Sequence, residues 1–373
     1  MEEEKLNFIE ASFLVLTILI SHIIMDLPNM IIKSQNSSAV LNVIYITILV
    51  LIYFFIINKL FEPFDSKNIL SISEFVGGKT LKVILGIIYS LYLICISAVI
   101  LRGFCETLKI IYFPKAGLWI ILGIFLVLAM LANKFGERNI IKINTILMPV
   151  ILLSVFVIFI ALLRNFEISR VFPLLGNGVK STFVDGALNM CSFSGFIILF
   201  FVRPNLKNVK DYKKVGIVSI LLSASYLVLS VASSLLLFPF LTANAEVLSV
   251  YLSACTIRFG KFMPRTDALF MFIWIFTFIS YLSIIVSYIV KFSKESISPK
   301  SPSIATYISA IAIFIVALLP QNSTQVHFFQ NVVYKYLSIT IVFILSFVIL
   351  LIGYIKKKKL NKTREIQWDQ KRY

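Results

Sequence analysis

"VDGALNMCSFSGF", residues 184–196, heads an apolar stretch that runs on through Ile197 to Val202, where a membrane-spanning helix is expected. Within it stand an acid, two glycines, an amide and two serines. Glycine costs about 1 kcal/mol per helical position relative to alanine. Irregular backbone at membrane depth persists only where it is buried in protein or lines a cavity. Gly186, Gly195 and the serines between them therefore read as an unwound break that exposes backbone donors and acceptors and forms part of a ligand pocket with the first span. The alternative is close helix packing through small residues. Asp185 lies near the outer end, where an acid also suits the start of a helix dipole.

Composition places this stretch in an all-α integral membrane protein. The 373 residues are 59% hydrophobic and 14% charged, with mean hydropathy +0.94, against the roughly 45–50% apolar content of soluble domains. Ten apolar runs can cross the roughly 30 Å of a hydrocarbon core: 9–32, 40–60, 83–111, 117–133, 141–163, 183–202, 215–241, 268–290, 303–319 and 332–354. The first follows "MEEEK", acidic where a secretory signal is basic, and has no small-residue cleavage site, so it reads as a retained helix. The expectation is one transmembrane domain over 1–373 that ends in a short basic tail, 355–373.

The formal charge is +17, and its distribution decides what it is for. The tail from Lys356, "KKKKLNKTREIQWDQKRY", carries eight Lys and Arg, and "RPNLKNVKDYKK" after the sixth span carries five. Positive charge concentrates in cytoplasmic loops, so both termini and the loop at Lys210 are expected inside and the segment Thr242–Arg265 outside. The basic run reads as a stop-transfer anchor beside anionic membrane lipid rather than a nucleic-acid site.

Several patterns carry no chemistry. "SEFVGGKT", residues 73–80, ends like a phosphate-binding loop, but Ser73 stands where its first glycine belongs and no strand precedes it. Cys95, Cys105, Cys191 and Cys255 have neither C-x-x-C spacing nor a nearby histidine, so no metal site or disulfide is expected. "NSS" at Asn36 and "NST" at Asn322 match glycosylation acceptors, but nothing else points to a secretory pathway. No nucleophile, base and orienting group stand together, so neither an enzyme nor a cofactor is expected.

What remains is polar chemistry inside the membrane. "SHIIMDLP" sets Ser21, His22 and Asp26 ahead of Pro28, with His22 and Asp26 on one helical face. Ionisable groups within a span mark pathways or pairs, and a local pair that caps a bend is the other reading. In the eighth span Thr277 and Tyr281 lie one turn apart beside Ser280, and the third carries Ser97, Arg102 and Glu106. Interrupted helices in matching positions of two halves point to a secondary-transporter core with its site at mid-membrane. The first and sixth spans fit two inverted five-helix repeats, each opened by a broken helix.

The chain resembles the endospore germination permeases, the B subunits of nutrient germinant receptors in the amino acid, polyamine and organocation transporter superfamily. The resemblance spans nearly the whole chain. It rests on "LP" at Leu27 and Pro28, "LSISEFVGGKTLKVILGIIYSLY", "LRGFCE", "FPLLGNG", "RPNLKN" and "PRTDALFMFIW", in that order. It implies ten spans in a LeuT-like architecture, with both termini inside. It implies also a sensor of a small, amino acid-like germinant in the inner membrane of the spore, working with A and C subunits. In that superfamily the ligand lies among the first, third, sixth and eighth spans. Carried onto this chain, that implies Ser21, His22, Ser97, Asn189, Cys191, Ser192, Ser194, Thr277 and Tyr281, beside the break at Gly186. Two positions depart from the superfamily: "SH" at Ser21 and His22 replaces a small, glycine-containing motif, and Phe196 stands where an acid is expected. A germinant receptor subunit, an amino-acid or cation-coupled transporter, and a structural partner with a vestigial site are the competing readings. The polar break argues against the last.

Overall fold

The computed structural model describes residues 5–25, 27–238, 253, 255–256, 266–297 and 302–370, and these are almost wholly helical. The segment Thr242–Arg265, expected to face outward, lies almost wholly outside them. Helix α1 (Phe8–Met25) opens with a reciprocal cap: Asn7 Oδ1 accepts from the Glu10 amide and Glu10 Oε2 from the Asn7 amide, both at 2.9 Å. α2 (Leu27–Gln35) follows. The run expected as one span over 9–32 is helical on both sides of Asp26, which lies outside the described residues.

α3 (Ala39–Phe61) shows the pattern of most of the remaining helices. Val43, Ile46, Val50, Phe54 and Ile57 are buried, whereas Ile44, Ile48, Ile52 and Phe55 form an exposed apolar stripe on the opposite face. A helix that is apolar on both faces packs inward on one and meets lipid on the other.

α4 (Ile69–Ile111) is capped by Asn68, whose side chain accepts from the Ser71 amide at 2.9 Å, and kinks at Gly77 and Gly78. Gly78 has φ +75°, a conformation that side chains with a Cβ resist. The stretch that mimics a phosphate loop is therefore a helix kink. Lys356, in the basic run, donates to Phe75 O (2.9 Å) and Val76 O (3.0 Å), two carbonyls just before that kink.

α5 (Leu118–Lys134) and α6 (Glu137–Leu162) complete the first half. The opening stretch then departs from expectation. After a π turn at Lys180–Val184, the chain runs as a 3₁₀ helix over Asp185–Ile198 and continues as α7 (Leu199–Val202). It is wound rather than unwound, and within Asp185–Ile198 only Phe193 (φ −95°, ψ 24°) leaves helical geometry. The reason is physical. Where no water reaches the backbone, i→i+3 bonds keep its polar groups paired, and the small residues allow a neighbour to approach. A Cβ on Gly195 would lie 3.0 Å from Leu19 N and 3.1 Å from Ile18 C, both on α1. The helix-packing reading therefore holds at Gly195.

α8 (Tyr212–Leu237), α9 (Thr266–Ile297), α10 (Pro302–Leu318) and α11 (Ser323–Asn331) follow. Two π stretches, Val332–Leu337 and Ile339–Leu345, lead into α12 (Ser346–Gln370), which carries the basic run as helix. Ser338 and Ser346 donate five residues back, to Val333 O (3.0 Å) and Ile341 O (2.9 Å), satisfying carbonyls that π geometry loosens.

Among the described residues seven helical stretches are long and apolar enough to span a membrane, and three shorter apolar helices accompany them, Phe8–Ile24, Leu118–Lys134 and Ile304–Leu318. α1, buried throughout from Leu14 to Ile24, packs against α6, α8 and the 3₁₀ segment, and α9 packs against α4, α5 and α6. The centre of the molecule lies where α1, the 3₁₀ segment and α9 approach one another.

Candidate ligand-binding site

His22 sits at that centre. Its Nδ1 lies 2.8 Å from Ser194 Oγ and its Nε2 3.2 Å from Tyr281 OH. The ring meets Tyr281 edge-on at 5.4 Å and Tyr334 at 6.1 Å between centroids. A neutral imidazole donates at one nitrogen and accepts at the other, and each hydroxyl can take either role. Both nitrogens are thus satisfied by hydroxyls from two different helices, and all four side chains are buried. Three residues singled out in the sequence, from the first, sixth and eighth spans, meet at one point. Asp26, which the spacing sets on the face of His22, lies outside the described residues.

The other expected site residues are placed differently. The hydroxyls of Ser21, Ser97 and Thr277 donate back within their own helices, to Thr17 O (2.7 Å), Leu93 O (2.6 Å) and Ile273 O (2.9 Å). Such bonds satisfy the donor locally and leave lone pairs open. Cys191 is a buried free thiol. Ser192 Oγ is buried with no hydrogen-bond partner among the described residues. Arg102 reaches Glu106 (2.6 Å) and Ala317 O (3.2 Å), which ties α4 to α10 and gives that pair a structural role.

Gly186 and Asn189 belong to a second polar cluster, with α2 and α3. Asn42 Nδ2 donates to Thr182 O (2.9 Å) and Gly186 O (3.2 Å), and Asn189 Nδ2 donates to Asn42 Oδ1 (2.8 Å) and Ser34 Oγ (3.3 Å). A Cβ on Gly186 would run into Asn42 and approach Gln35 to 3.2 Å. Glycine here admits the amides to the backbone. Gln35 Oε1 is buried without a hydrogen-bond partner among the described residues.

Sequence reading passed over Asn42, Gln35, Tyr334 and a pair of links from α4: Tyr92 OH to Ser338 Oγ (2.9 Å) and Tyr89 OH to Ser346 Oγ (2.8 Å). Asn42 could have been found, since it is the sole amide in the apolar run from Ala39 to Ile57, and a lone amide at membrane depth needs a partner. The tyrosines gave no such signal. Their hydroxyls are distinguished only by what stands opposite.

The helix ends beside the N-terminal cap are tied by charge. Glu10 pairs with Arg138 (2.7 Å), Glu137 with Lys291 (2.6 Å), and Asn68 donates to both oxygens of Glu295 (3.1 and 3.0 Å). Leu6 adds backbone bonds to Asn205 O and from Lys207 N. α1, α4, α6, α9 and the loop after α7 are thereby held together at one end.

This architecture is a fold shared with solved membrane transporters. The fold matches a solved Na+-coupled sialic acid symporter in its substrate-bound, outward-open state, with TM-score 0.64 over 95% of this chain and 88% of that one, at 12% identity. The chain is an integral membrane protein by that fold and by its apolar helices. The sequence profile of the family described as "Spore germination protein" matches residues 5–326, and the chain belongs to that family of germination permeases. It is 25% identical to spore germination protein B2 of Bacillus subtilis (strain 168) over 216 residues, 57% of this chain and 58% of that relative. It is 20% identical to spore germination protein KB of the same organism over 320 residues, 84% of this chain and 86% of that protein.

Proposed function

We propose that this chain is the membrane-embedded B subunit of a nutrient germinant receptor. It binds a small germinant, an amino acid or similar, where α1, the 3₁₀ segment and α9 meet, and triggers germination together with A and C subunits in the inner membrane of the spore. The observation that carries this reading is the His22 knot. A buried imidazole bonded to hydroxyls of two other helices is a set of neutral donors and acceptors that a polar ligand can engage by exchange. Ser21, Ser97, Cys191, Ser192 and Thr277 complete this proposed site, and Gly186 and Asn189 stand on the same 3₁₀ segment in the neighbouring cluster with Asn42.

Seven long and three shorter apolar helices support ten spans in a single domain over 1–373. The 3₁₀ geometry of the sixth span supports inverted repeats of five helices. The basic tail supports cytoplasmic termini.

Thermal unfolding of the purified protein against a panel of amino acids and other nutrients tests the reading. A ligand at a hundred times its Kd stabilises by about 2.7 kcal/mol, so a germinant should raise the unfolding temperature of the wild type and do so less in Tyr281→Phe at equal concentration. The same rise in both proteins would place the ligand elsewhere. Accumulation of labelled nutrient in vesicles that contain this chain alone would favour a transporter.

A further inference from the structure

Away from the His22 knot, a cavity of about 530 Å³ lies among the end of α5, the start of α6, the last turns of α9 and the first turns of α10. Small-molecule sites run to roughly 300–1,000 Å³. Its wall carries three ammonium groups, Lys134, Lys291 and Lys294, against one carboxylate, Glu137, with Met130 and Tyr307 as apolar lining. Glu137 is committed to Lys291 at 2.6 Å. Lys134 has no ion-pair or hydrogen-bond partner among the described residues. Asn133 is already engaged with Ser287 and with Ser283 O, so the polar wall is held in place. Lys134 therefore adds positive charge beyond the Glu137–Lys291 pair, on a fixed frame.

Its surroundings distinguish the source of an anion. Leu131 on α5 and Ile304, Tyr307 and Ile308 on α10 are exposed apolar side chains on the two helices that flank it. Hydrophobic flanks beside lysines at the end of a span suit a molecule with a phosphate head and hydrocarbon tails. Basic pockets between transmembrane helices take lipid head groups, and a lysine ammonium is a compact, three-donor partner for phosphate oxygens.

We propose that this cavity binds the phosphodiester head group of an anionic phospholipid, with the acyl chains lying along α5 and α10. This site is independent of the germinant reading. The test uses the full chain purified from vesicles of mixed phosphatidylcholine and phosphatidylglycerol, with retained lipid counted by native mass spectrometry. The wild type should retain phosphatidylglycerol over phosphatidylcholine. Neutralising a lysine near an anionic membrane surface weakens attraction roughly fivefold, so Lys134→Gln with Lys294→Gln should lose roughly 25-fold, whereas Lys134→Arg with Lys294→Arg should keep the lipid. Equal retention by the wild type and the glutamine variant would overturn the proposal. So would an equal loss in Lys357→Gln with Lys358→Gln, which would mean diffuse attraction to basic residues. Displacement of the lipid by inorganic phosphate would reassign the cavity to a free anion. Crosslinking the wild type to a photoreactive phosphatidylglycerol needs no substitution: label within 118–134 and 302–318 supports the site, and label confined to 346–370 refutes it.

Discussion

An imidazole at membrane depth needs both nitrogens satisfied, and His22 obtains this from Ser194 and Tyr281 rather than from a residue of its own helix. Removing one neutral hydrogen bond costs about 0.5–1.5 kcal/mol net. Ser194→Ala and Tyr281→Phe should each lower unfolding stability by that amount. Because both act on the same ring, the double variant should depart from additivity by about 0.5–3 kcal/mol. Unfolding of the four proteins in one detergent checks this, and strict additivity would mean that the two bonds are independent. His22 and Tyr281 were legible in the sequence because an ionisable group and a hydroxyl inside a span need partners. Their pairing was not, because His22 also shares a helical face with Asp26, and local spacing shows only local partners. For Thr277, the same reasoning found the residue but not its bond, which closes within α9.

At the scale of the element, the stretch from Asp185 to Ile198 shows how small residues can serve two readings. Its composition announced an irregular helix, and the structure has one. Composition could not tell unwinding from tighter winding, since glycine and serine permit both. What decides is the approach of α1 at Gly195 and of Asn42 at Gly186. Gly195→Ala should therefore push Leu19 and the 3₁₀ segment apart at a cost of about 1–3 kcal/mol. Gly186→Leu should displace Asn42 and leave buried amides unpaired, at about 1–3 kcal/mol for each group. Immunoblots of membranes should show less of both proteins than of the wild type. Normal abundance with an impaired response would instead return Gly186 to the ligand site. The kink at Gly77 and Gly78 was not legible, since paired glycines suit a loop as well as a kinked helix.

At the scale of the whole molecule, hydropathy and loop charge together outlined a polytopic helical protein, because lipid imposes the same length and apolarity on every span. The packing of those spans was legible only through resemblance, since lipid-facing and buried faces are equally apolar, as on α3. The orientation is tested with single cysteines in a background from which Cys95, Cys105, Cys191 and Cys255 have been removed. Lys210→Cys should react with an impermeant thiol reagent only after the membrane is opened, and reaction in intact cells would invert the topology. The central claim is that a germinant is bound where His22, Ser194 and Tyr281 meet. Dose–response curves of spores that carry the wild type, Ser194→Ala or Tyr281→Phe at matched receptor levels test it most directly. Loss of one hydrogen bond to the ligand, about 0.5–1.5 kcal/mol, corresponds to a shift of roughly two- to twelve-fold. The half-maximal germinant concentration should rise by that factor in at least one of the two variants, and an unchanged half-maximal concentration in both would contradict the assignment.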